Sequence, residues 1–278
     1  MRSPQQLSLP GLAVLVVVAL VLMYFEKGDG GRDVPSGPSV STTSGKTTSG
    51  GGETEGSGAR NANYDGGDPP EAMAAAARSG GEPGDFDYYS LVLSWSPTHC
   101  ESPEGRDDET QCAPRGGRRY SFILHGLWPQ YERGYPEDCP MRTRPYVPQS
   151  VINQMFDIMP SKRLIIHEYR KHGTCSGLTP EGYYQTARRM FQSITIPSQF
   201  RNPPSDQFMS PGEVVRAFVA ANPALKPNMF GVACRGPGTR FRELRICFSK
   251  TGAPRACGPN EEQRKLCRGD RMHVPPVR

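Results

Sequence analysis

The sequence predicts an α+β domain: a central antiparallel sheet flanked by helices and tied by disulfides. Three observations carry that expectation. Period-two apolar alternation marks strands at 87–97 and 241–249. Apolar residues at helical spacing fill the stretch between them. All eight cysteines fall between residues 100 and 267, none in a CxxC pair. Strands, then helices, then strands favour helices laid on an antiparallel sheet.

Composition sets the limits of that domain. From Gly28 to Glu82 the chain is mostly Gly, Ser, Thr, Asp and Ala, with no Leu, Ile, Phe, Trp or Cys. Such a stretch has almost nothing to bury against the entropy of ordering, and 28–82 reads as a flexible tether. Its EAMAAAARS run can flicker into helix, but about two turns alone in water are marginal. The ordered domain is then expected at 83–278, long enough for a substantial core. Charge divides at the same place. Residues 1–82 carry 6 Lys/Arg against 9 Asp/Glu, and the remainder carries 27 against 19. A basic domain behind a weakly acidic tether suits a polyanionic partner.

Gly11 to Phe25 (GLAVLVVVALVLMYF) is an unbroken apolar run behind Arg2. At about 23 Å as a helix it falls between a signal-peptide core and a full membrane span. EKGDGG follows it with no small-x-small cleavage site. Residues 1–27 are therefore expected to be a signal peptide or membrane anchor, the anchor favoured, with the domain exported. An even cysteine count fits disulfides in an oxidising compartment, and the lack of CxxC argues against zinc ribbons and thioredoxin-like sites.

The elements follow in order. In DYYSLVLSWSP (Asp87 to Pro97), Tyr89, Leu91, Leu93 and Trp95 share one face against small or polar residues, the pattern of a half-buried strand. A loop bounded by Cys100 and Cys112 comes next. Tyr120 to His125 reads as a second strand broken by Gly126 and Pro129. PQSVINQMFDIM (Pro148 to Met159) sets Ile152, Met155, Phe156 and Met159 at helical spacing. Thr179-Pro180 opens a helix with Tyr183, Ala187, Met190, Phe191 and Ile194 on one side. Ser210-Pro211-Gly212-Glu213 joins a capping box to a first-turn proline ahead of Val214, Val215, Phe218 and Val219. In FRELRICFS, Leu244, Ile246 and Phe248 oppose Glu243 and Arg245.

Chemistry concentrates in IIHEYRKHGTC, Ile165 to Cys175. As a helix ended by Gly173, it places His167, Lys171, Glu168 and His172 at about 0°, 40°, 100° and 140° around the axis. A zinc-binding HExxH helix stacks histidines four apart; these are five apart and diverge, so one tetrahedral ion is a poor fit. A charged surface helix and an anion site both remain open. Cations gathered around imidazoles lower histidine pKa values and attract phosphate. A single histidine cannot both take and give a proton in one step. His125, before Gly126, is the natural partner, against the alternative of a packed histidine. His99 in its loop, His273 in the tail and the Arg268-Gly269-Asp270 tripeptide carry no comparable signal.

FILHGLWPQ and HEYRKHGTC, about 40 residues apart, together resemble the two active-site segments of the ribonuclease T2 family, and the similarity covers essentially the whole domain. The resemblance implies a ribonuclease T2-like fold and a metal-free, cofactor-free endoribonuclease acting on single-stranded RNA, with no protein partner and a monomeric state. It implies that His125 and His172 are the acid–base pair, the direction of proton flow left open. Glu168 and Lys171 would stabilise the transition state and His167 would bind phosphate. Trp128 resembles the family's base-stacking tryptophan, with Tyr131 or Tyr135 for the other face. Implied disulfides are Cys100–Cys112, Cys139–Cys175, Cys234–Cys267 and Cys247–Cys257. Gln130 stands where many members have Asp, so base preference does not carry over, and Tyr169 stands where Trp is common. A catalytically silent RNA-binding module on the same fold is the rival expectation.

Overall fold

The computed structural model describes residues 77–79, 81–113, 117–236 and 239–278. The apolar run at 11–25 and nearly all of the expected tether lie outside the described residues. Among the described residues no helix is long and apolar enough to cross a membrane.

The strands are Ala77–Ser79 (β1), Tyr88–Trp95 (β2), Phe122–Gln130 (β3), Tyr135–Glu137 (β4), Gln207–Met209 (β5), Phe230–Arg235 (β6), Arg240–Ser249 (β7) and Met272–Val274 (β8). The main sheet runs β3-β2-β7-β8-β5, with β6 also pairing β7. All its pairings are antiparallel except β7 with β8. Against it lie helices Gln149–Met155 (α1), Lys162–Lys171 (α2), Pro180–Gln192 (α3) and Pro211–Ala221 (α4). The α+β expectation therefore holds.

Local chemistry explains the helix starts. The Ser161 side chain accepts from Leu164 N at α2, Thr179 does the same from Gly182 N at α3, and Ser210 with Glu213 completes the capping box of α4. One sheet face and the helices enclose the core. There the rings of Trp95, Phe122, Phe200, Phe218 and Phe241 meet mostly edge to face.

Several expectations need correction. β2 is buried on both faces, Tyr88, Ser90 and Val92 included, because β3 and β7 pair on its two sides and further groups cover the second face. β3 does not break at Gly126 or Pro129. It is the edge strand of the sheet, where a proline's missing N–H costs no ladder bond. α1 ends at Met155, leaving Phe156 at the surface. The loop between Cys100 and Cys112 is made of short helical turns, Pro103–Arg106 and Glu109–Cys112. Ala77–Ser79, expected as fleeting helix within the tether, pairs in parallel with β4.

Two β-bulges shape the sheet. The β2–β3 register passes from Val92↔Gly126 to Leu93↔Leu124, leaving His125 as the extra residue. The β6–β7 register passes from Ala233↔Glu243 to Cys234↔Phe241, leaving Arg242 extra. A bulge turns two consecutive side chains toward one side. It also explains why Phe122, Leu124 and Leu127 all reach the core while Trp128 faces away from it.

All four expected disulfides are formed. Cys139–Cys175 closes a loop of sequence separation 36 and joins the segment after β4 to the turn that follows α2. Replacing both cysteines with serine should lower unfolding free energy by about 4 kcal/mol in the chain-entropy model, measurable by denaturant titration.

Candidate active site

α2 presents Ile165, Glu168 and Tyr169 to the interior, one turn of the same stripe, so burial of the Glu168 carboxylate is built into the helix. The expected C-terminal role of Gly173 is corrected. α2 ends at Lys171, a 3-10 turn covers Gly173–Ser176, and the left-handed residue is Gly177 (φ 73°). Gly173 serves close approach instead, since a Cβ there would lie 2.4 Å from the Tyr169 ring. Gly126 is likewise not a turn. A Cβ on it would lie 2.1 Å from Glu168 Oε2 and 2.6 Å from Trp128 Nε1, so glycine lets the carboxylate and the indole meet over the strand.

Glu168, 1% exposed, accepts from Trp128 Nε1 at 2.7 Å and lies 3.4 Å from His125 Nε2. The other ring nitrogen of His125, Nδ1, donates to Glu243 at 3.1 Å. His172 stacks on Trp128 with centroids 4.9 Å apart, and His125 meets the same indole edge to face at 5.4 Å. The guanidinium of Arg245 lies over the Trp128 ring at 4.9 Å. Both imidazoles thus share one indole, although they come from a strand and the end of a helix.

Their electrostatic settings differ. Burial draws the His172 pKa down to about 4; Lys171, His125 and His167 act the same way, against Glu168. Its Nδ1 is buried with no hydrogen-bond partner. Burial also works against the His125 cation, but Glu168 and Glu243 outweigh it, so its pKa rises well above the ordinary imidazole value. Both carboxylates are held below their usual range despite burial, Glu168 chiefly by His125 and Glu243 chiefly by Arg242 and His125.

Of the remaining expected residues, Lys171, His167 and Tyr135 lie within electrostatic reach of this centre. Lys171 pairs with Glu137 at 3.2 Å, half-exposed. His167 is exposed on α2, near enough for its charge to act on His172. Tyr135 is close enough to feel the charges of Glu137, Lys171 and Arg245. Tyr131 packs beside the core near Gly81. Gln130 is buried, its Oε1 accepting from Asn260 Nδ2 at 3.1 Å. Among the described residues, a grouping with metal-like spacing is Cys247, Cys257 and Glu261; its two sulfurs are joined in a disulfide and offer no thiolate.

Sequence reasoning missed Glu243, read there only as the polar side of a strand. The available signal was a single acid among Arg240, Arg242 and Arg245 on a strand whose other face is apolar.

The model described as the Ribonuclease T2 family matches residues 86–257, more than half of the chain. The chain belongs to the ribonuclease T2 family. It is an RNase T2-type endoribonuclease. Among T2 relatives, a ribonuclease of Aeromonas hydrophila is 36% identical over 69% of this chain and 86% of its own. Ribonuclease I of Escherichia coli (strain K12) is 29% identical over 45% of this chain and 60% of its own. Solved T2-type structures share the fold. The Nicotiana alata self-incompatibility associated SF11-RNase has a TM-score of 0.53 at 20% identity, over 70% of this chain and 100% of that one. RNase NT in complex with 5′-AMP gives 0.51 at 23% identity, over 69% and 99%.

Proposed function

We propose that this T2 ribonuclease cleaves single-stranded RNA by transphosphorylation without a metal, using His172 as the initial base and His125 as the acid. The observation that carries this reading is one indole flanked by two imidazoles with opposed pKa shifts. Pairs of titratable groups pushed apart in this way commonly divide acid and base roles.

His172, neutral at working pH, takes the proton of a ribose 2′-hydroxyl. That oxygen attacks the adjacent phosphorus in line, and the bond to the 5′-oxygen breaks. His125, protonated between Glu168 and Glu243, gives its Nε2 proton to the departing oxygen. The product is a 2′,3′-cyclic phosphate, which water opens to a 3′-phosphate with the histidine roles reversed. Each proton transfer contributes about 10²–10⁴-fold. Lys171 offsets charge on the phosphoryl oxygens, displacing its Glu137 contact as substrate arrives, and Glu168 stabilises the cationic imidazole. His167, exposed on the same helix, suits an incoming phosphate. Tyr135 offers the aromatic side of the base site, because the Trp128 ring already carries His172 and Arg245.

The test is the purified protein with RNA and matched DNA, each with and without EDTA. Cleavage of RNA alone, indifferent to chelation, is expected; cleavage of DNA or loss of activity in EDTA would overturn the reading. The assignment also fixes a pH profile. For a dinucleoside substrate, kcat/KM should be level near neutrality and fall on the acid side only as His172 becomes protonated near pH 4. It should fall on the alkaline side well above the ordinary imidazole range, as His125 loses its proton. An alkaline limb at pH 6 to 7 would contradict the assignment.

Disulfides fit export to an oxidising compartment. Segment 11–25 then serves as leader or anchor, which fractionation of the full chain between membrane and soluble pools distinguishes.

A further inference from the structure

Glu243 is 1% exposed, and its carboxylate draws in three cationic side chains. His125 Nδ1 (3.1 Å) and Arg242 (3.2 Å) meet Oε1, and Arg245 (3.5 Å) meets Oε2. Two bulges produce this meeting. His125 is the extra residue of β3 and Arg242 the extra residue of β7. The second bulge explains why Arg242 reaches the side chain of its own neighbour, as alternation in a regular strand would not allow.

We propose that Glu243 is the positioning residue of the acid histidine, gripping His125 through Nδ1 so that Nε2 points at the leaving oxygen, with Arg242 and Arg245 keeping the carboxylate ionised. The proposal rests on His125 acting as the acid.

Glu168 cannot fill this role alone. It faces Nε2, the nitrogen that must turn to substrate, and its other oxygen is held by Trp128. Glu243 lies behind the ring, and its bond survives when substrate takes the front. A carboxylate this deeply buried would pick up a proton if isolated, and a protonated carboxyl holds an imidazolium weakly. The two guanidiniums prevent that. Arg245 also lies over Trp128, on which His172 stacks, so the Glu243 cluster is tied mechanically to both imidazoles. The charged groups facing His125 are Glu168, Glu243 and His172; those facing Glu243 are His125, Arg242 and Arg245.

The test compares Glu243→Gln, Glu243→Asp and His125→Ala on a dinucleoside substrate, with the His125 ring followed by NMR titration. Glu243→Gln should lower kcat by at least about 10- to 100-fold, the scale of losing a carboxylate that orients a metal-bound histidine, with KM changed less than about twofold. The sign follows from the lost anion. The imidazolium is less stable, so the NMR pKa and the alkaline limb of kcat/KM both move to lower pH. Glu243→Asp keeps the charge and should recover part of both. An unmoved limb and unmoved pKa in Glu243→Gln, with His125→Ala inactive, overturns the positioning role and leaves the acid–base reading standing. Turnover retained in His125→Ala overturns that reading instead. Should Glu243→Gln not fold, Glu243→Asp decides, and wild-type values for its kcat and limb reject the proposal.

Discussion

Alanine at either His125 or His172 is expected to reduce RNA cleavage by about 10²–10⁴-fold, in a protein that still folds. Each imidazole makes one of two proton transfers that neither water nor the remaining histidine can make in the same place. The losses will not add in the double variant, because a transition state lacking one transfer gains little from the other. Fold retention follows from location. His125 is 22% exposed at the edge of the site and can be truncated without opening the core. His172 is buried, but its main contact is the Trp128 stack, worth about 0.5–1.5 kcal/mol beyond burial. Initial rates on RNA, with near-ultraviolet circular dichroism for packing, check both statements. Undiminished turnover in either variant would remove that residue from the chemistry.

The second large effect is expected at a residue with no functional group. Gly126→Ala adds a methyl 2.1 Å from Glu168 Oε2 and 2.6 Å from Trp128 Nε1. Neither neighbour is a loose side-chain end: Glu168 is 1% exposed and the two are bonded to each other. The carboxylate must retreat by about an ångström, a displacement that can cost about 10²-fold in rate. Overpacking itself typically destabilises by about 1–3 kcal/mol. kcat/KM should fall about 100-fold, and the denaturant midpoint should fall with it. A variant matching the parent in both would mean that the strand and the carboxylate are not in close contact.

Much of this molecule was legible in its sequence where local chemistry decides the outcome. Ser210 and Glu213 announced a helix start because a cap is written within four consecutive residues. Glu168 and His172 were legible as a pair on one arc of α2, and the disulfides followed from the family resemblance. What escaped notice depends on partners distant in the chain. His125 was expected at the end of a strand, since glycine and proline nearby read as breakers. An edge position excuses the proline, and the approach of Glu168 explains the glycine. Glu243 read only as the polar side of a strand because alternation cannot say what will cover it. Its burial requires His125 from another strand, Arg245 on the same face of β7 and Arg242 aimed by a bulge. Ala77–Ser79 was equally hidden, because a three-residue strand exists only through β4.

The extra residue at His125 is what sets two consecutive positions, 125 and 126, on the cleft side of β3. Deleting either one would leave Leu124 and Leu127 two positions apart and restore strict alternation, with Leu127 still in the core and Trp128 still outside it. The sheet would keep its register, and the cleft would lose either its imidazole or the glycine that admits Glu168. A single-codon deletion there should spare the packing and remove the chemistry.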